Sequence, residues 1–68
     1  MENTVIKVGG MTCQGCVRSV TRVLEGVPGV AKVEVSLEKG EAALQYDPDR
    51  AGVPQFRQAV EEAGFDVG

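Results

Sequence analysis

Apolar and polar residues alternate along this chain with two different periods, and the switches between them mark out six segments. Thr4, Ile6 and Val8 alternate with Val5 and Lys7, the period of two that marks a strand with one buried face. Gly9-Gly10 ends it. From Cys16 to Gly26 the period lengthens: Val17, Val20, Leu24 and Val27 fall at i, i+3, i+7 and i+10, one helical stripe, with Arg18, Arg22 and Glu25 off it. Valine is a mediocre helix former, so packing rather than propensity must hold this helix. Gly26 and Pro28-Gly29 are its stop signals.

Val33, Val35 and Leu37 alternate again as a second strand, and Glu38-Lys39-Gly40-Glu41 reads as a hairpin turn with glycine at the positive φ. Ala42, Leu44 and Tyr46 point inward on a third strand, which Asp47-Pro48-Asp49 terminates. A second helix begins near Gly52, with Pro54 in its first turn, Gln55 placed to reach back to the cap, and Ala51 and Phe56 as a staple. Its stripe is Val53, Phe56, Val60 and Ala63, Gly64 fits C′, and Phe65-Asp66-Val67 forms a very short last strand. With right-handed crossovers, the order βαββαβ predicts a ferredoxin-like α+β open-faced sandwich. Both helices lie on one face of a four-stranded antiparallel sheet and the other face is wet.

Length and charge narrow the functions available. Sixty-eight residues allow a single domain, 1–68, because a chain this short buries only about 60% of the surface its unfolded form exposes. A net charge of −3 with both signs interspersed argues against nucleic acid, whose phosphates need a basic face. No carboxylate pair, Ser/His/Asp set or phosphate loop is present, so the chain is expected not to be an enzyme. Residues 1–7 hold no basic flank followed by an apolar run. Neither signal peptide nor membrane insertion is expected, and the location that follows is cytoplasmic.

The candidate chemistry is concentrated in Gly9-Gly10-Met11-Thr12-Cys13-Gln14-Gly15-Cys16, which holds the only two cysteines of a chain without histidine. In the cytosol a close cysteine pair is more often a metal site or a redox couple than a structural bridge. Cys16 falls at the helix start, where unpaired N–H groups and the positive dipole end favour a thiolate, and Cys13 lies just before it on the loop. With metal–sulfur bonds of about 2.3 Å, a linear S–M–S unit spans about 4.6 Å, within reach of residues three apart. Two thiolates satisfy monovalent copper but leave zinc short of its usual four ligands. An under-filled, exposed pair also suits handing an ion on. Thiol–disulfide exchange is the competing use of the pair, although the chain lacks the Trp-Cys-Gly-Pro-Cys context of thioredoxins and is too short for their fold.

Gly-Met-Thr-Cys-Gln-Gly-Cys at 10–16, Gly26-Val27-Pro28-Gly29-Val30, and Ala63-Gly64-Phe65-Asp66-Val67 together make the chain resemble the heavy-metal-associated domain family, of the bacterial copper chaperone type. The resemblance implies copper(I) bound by Cys13 and Cys16, and transfer through shared thiolates to the metal-binding domains of a copper-transporting P-type ATPase. A metal-bridged homodimer is a further possible assembly. Mercury(II), zinc or cadmium binding is the alternative cargo, and an excised N-terminal domain of a P-type ATPase the alternative context. Many bacterial members carry tyrosine, and eukaryotic chaperones lysine, where this chain has Phe65.

The residues around the pair have readings of their own. Met11 is expected to anchor the loop in the core rather than to be a third ligand. Thr12 is expected to support the turn. Gly15 keeps the loop open to a partner or merely serves turn geometry. Arg18 and Arg22 read as a solvated face in preference to a docking patch, and Glu61 and Glu62 as solvation. Phe65 is expected to pack over the loop and shield the site, with plain strand packing a near-equal alternative.

Overall fold

A computed structural model describes residues 1–67, so the expected domain limit at Gly68 lies outside the described residues. The elements come in the expected order: β1 (Glu2–Gly9), α1 (Gln14–Glu25), β2 (Val30–Ser36), β3 (Glu41–Tyr46), α2 (Val53–Glu62) and β4 (Asp66–Val67). All strand pairings are antiparallel, in the order β2-β3-β1-β4. This is the ferredoxin-like α+β arrangement.

Alternation sets the register. Ala42 pairs with Ile6 on one side and Val35 on the other, and Leu44 likewise with Thr4 and Val33. Because successive side chains point to opposite faces, these rows share one face, where Ile6, Val8, Ala42 and Leu44 are buried. The intervening row of Val5, Ala43 and Glu34 faces away, and Val5 is 55% exposed. Both helices cover the inner face. Val20 and Leu24 of α1 and Phe56 and Val60 of α2 are fully buried there, each contributing about 1.5–3 kcal/mol. Tyr46 meets Phe56 edge-on, with ring centroids 5.0 Å apart. Among the described residues no polar side chain is buried with them, so the core carries no desolvation penalty to offset.

Several local details differ from the sequence expectation. The first helix starts at Gln14, two residues before Cys16. β2 stops at Ser36, leaving Leu37 in the turn, where the Lys39 amide donates to Ser36 Oγ (3.2 Å) and Gly40 takes φ +64. Gly26 stays right-handed, with φ −76. The left-handed residue after α1 is Gly29 (φ +98), where a Cβ would come within 2.8 Å of Arg50 Cβ. Phe65 precedes β4 because its amide is used elsewhere: it donates to Val60 O (3.2 Å) while Gly64 N–H donates to Glu61 O (3.0 Å). With Gly64 at φ +94, these two bonds form a Schellman motif.

Candidate metal centre

The loop between β1 and α1 is fixed at both ends by the fold. β4 pairs Asp66 with Gly9, which brings Phe65 beside the loop: a Cβ on Gly10 would lie 3.9 Å from Phe65 Cδ1. Gly10 takes φ +87, a turn that costs glycine no steric strain. Met11 follows, half-buried and packed against the core, the anchoring role expected of it. Thr12, Cys13, Gln14 and Gly15 are then exposed.

Cys13 is the N-cap of α1, with extended backbone (φ −154, ψ 168). Its carbonyl accepts hydrogen bonds from the Cys16 amide at 3.1 Å and the Val17 amide at 3.2 Å. Both cysteines therefore belong to the helix start, Cys13 as cap and Cys16 at the third helical position, N3. Side chains at these two positions face each other in a capping box. Here both are thiols: their sulfurs stand 3.1 Å apart, and no side-chain cap bond is made. Cys13 is exposed, Cys16 half-buried, and both are free thiols.

The Cys16 thiol is held below its ordinary value, first by the backbone hydrogen bond from Thr12 and next by the Cys13 side chain; burial opposes the shift, and the Cys13 backbone and Thr12 side chain add smaller contributions. The amide donors and the helix N-terminus act in the same direction, because both stabilise the anion. Thr12 thus does more than support the turn. No local pattern foretells that its backbone would serve Cys16, since that depends on where Gly10 turns the chain.

Sulfurs 3.1 Å apart would hold an ion on bonds of about 2.3 Å at an S–M–S angle of only about 85°. The wider span expected for a linear unit requires one side chain to rotate. Cys13 is suited to move, being exposed and hydrogen-bonded through its sulfur to Cys16 alone. Among the described residues no cluster of three Cys, His, Asp or Glu exists, so the thiols have no third protein donor of these types beside them. Arg18 and Arg22 are exposed on α1, and the one ion pair among the described residues joins Lys7 to Glu41 at 3.0 Å. A concavity of about 610 Å³ lies on the open sheet face around Val5, Glu34 and Ala43 and includes no residue of the cysteine loop.

The family model of the heavy-metal-associated domain matches residues 5–66. The copper chaperone CopZ of Staphylococcus aureus (strain bovine RF122 / ET3-1) is 37% identical over 67 residues, with 98% of each chain covered. Among solved structures, a CopZ metallochaperone superposes with a TM-score of 0.96 at 34% identity, covering 98% of this chain and 100% of that one. A copper-binding domain from HMA7, a P-type ATPase, superposes with a TM-score of 0.97, also at 34% identity, covering 100% and 92%. Among the described residues no helix is long and apolar enough to cross a membrane.

Proposed function

The chain belongs to the heavy-metal-associated domain family, and from that premise we propose that it carries copper(I) on Cys13 and Cys16 and delivers it to the metal-binding domains of a copper-transporting P-type ATPase. The observation that carries this reading is the pair of free thiols facing each other across 3.1 Å at an exposed helix start. Copper(I) is cargo here. Soft thiolates suit it, and two of them leave its coordination open to a third.

Transfer then runs by ligand exchange. An acceptor thiolate forms a third Cu–S bond, one bond to Cys13 or Cys16 breaks, and the vacated sulfur takes up a proton; a second acceptor thiolate displaces the remaining chain sulfur in the same way. Copper stays monovalent throughout, so no electron acceptor is needed and the chain acts as a carrier, not a catalyst. The lowered Cys16 pKa favours the thiolate that binds first. A reducing cytoplasm keeps both thiols available, and a second copy of the chain is the simplest other source of a third sulfur, giving a metal-bridged homodimer.

Anaerobic titration of the reduced protein with copper(I) tests the assignment. One equivalent should bind tightly, and Cys13→Ser or Cys16→Ser should each abolish it; both variants binding like the parent would remove the proposal. Competition against zinc(II), cadmium(II) and mercury(II) ranks the other soft cargoes. The likeness to the ATPase domain supports a second reading, in which the chain is the N-terminal domain of such a transporter. The mass of the native protein in its own cells separates the two.

A further inference from the structure

Gly15 occupies the second position of α1, and nothing in the backbone there calls for glycine. Among the described residues the left-handed glycines are Gly10, Gly29, Gly40 and Gly64; Gly15 is helical, and almost any other residue would favour the helix more. Crowding does not require it either. A Cβ at Gly15 would meet a single neighbouring heavy atom within 4 Å, the Cys13 sulfur, at 3.7 Å. What the missing side chain leaves open is one flank of Cys13 Sγ.

We propose that this flank is the lane by which an incoming thiolate reaches the Cys13 sulfur and the ion it holds, a positioning role for Gly15 that rests on the carrier reading above. Three sulfurs arranged trigonally on bonds of about 2.3 Å lie about 4.0 Å from one another. A third ligand must therefore enter the same shell around Cys13 Sγ that a methyl at Gly15 would occupy at 3.7 Å. Cys13 is also the sulfur freer to swing, since it is exposed and Cys16 is half-buried. A bare helix position beside it leaves room for both movements. The cost is a weaker first turn.

Gly15→Ala and Gly15→Leu test the proposal, with Gly26→Ala as the control: Gly26 is a right-handed glycine at the far end of the same helix. The first measurement needs no metal. In a Cys16→Ser background, the Cys13 thiolate attacks an aromatic disulfide, forming a mixed disulfide and releasing one aromatic thiolate whose absorbance is followed. Access governs such rates, and we expect slowing of about threefold for alanine and about tenfold for leucine. The second measurement, with both cysteines present, is copper(I) transfer to thiol acceptors of increasing bulk. Slowing should grow with acceptor size while equilibrium copper(I) affinity stays unchanged, a pattern that a general stiffening of the helix start would not produce. Parent rates for Gly15→Leu in both assays, or equal slowing by Gly26→Ala, would overturn the proposal. Slowed disulfide exchange in a protein that takes up no copper(I) would leave the lane standing and remove the carrier reading.

Discussion

The first turns of α1 and α2 are built in opposite ways. At α2, Ala51 before the cap and Phe56 at the fourth helical position are both in the core, the Gln55 side-chain oxygen accepts from the Gly52 amide at 2.7 Å, and Pro54 presets its own φ. The staple, the proline and the Gln55 cap bond each favour the helix start. At α1 the corresponding residues are Thr12, exposed, and Val17, half-buried, while Cys13 makes no cap bond and Gly15 weakens the turn. The cap-to-N3 spacing is shared. Gly52 and Gln55 use it to satisfy an amide, whereas Cys13 and Cys16 use it to set two sulfurs face to face. Helix initiation is thus left incomplete where the chemistry sits, and Met11, Val20 and Leu24 hold α1 from the other side.

Converting the first start into an ordinary one should have the largest effect. Cys13→Asp supplies a strong cap acceptor and removes one of two soft ligands. Copper(I) binding should fall from tight to undetectable, while the metal-free protein should gain about 0.5–2 kcal/mol in urea unfolding. Loss of stability in that variant would mean that the Cys13 sulfur already does the work of a cap. Damage to the second start should register in stability alone. Phe56 is fully buried, so Phe56→Ala should cost about 3–5 kcal/mol, comparable with the whole stability of a domain this small. At a temperature where the variant remains folded, its copper(I) affinity should match the parent's.

The contrast between the helices also separates what the sequence made legible from what it did not. Alternation in residues 4–8 and 42–46 fixed the inner face, because a slip of one residue would expose Ile6 and Leu44. Gln55 and Gly64 carried recognisable cap chemistry, and both act as read. The thiol pair is legible as a pair, yet the pattern points to a start of α1 two residues later than Gln14. Gly15 and a cysteine cap are poor helix signals, so the periodicity becomes visible only at Cys16. Gly26 stops the helix as read, capping it after Glu25, and does so in a right-handed conformation. The 3.1 Å sulfur contact and the Thr12 amide at Cys16 depend on where Gly10 turns the chain. No local pattern encodes that direction.

The smallest effect expected concerns pH, and it separates the two donors that act on Cys16. A thiol whose pKa is lowered by folding adds stability that is fully present above its ordinary value of 9.0 and is lost as pH falls through the folded value. The metal-free protein should therefore become slightly more stable as pH rises from neutral toward 9.0. The gain should vanish in Cys16→Ser, and it should be small because solvent screens a site at the surface. At α2 the N3 side chain is Gln55, which does not titrate, so Gln55→Ala should leave that slope intact. Titration of the thiolate absorbance in Cys13→Ala then apportions the shift at Cys16. The Thr12 backbone bond is its leading cause and the Cys13 side chain the second, so the greater part should survive the loss of the neighbouring sulfur. A return to the ordinary thiol range would instead make the second sulfur the tuning group, and Thr12 would revert to a turn residue.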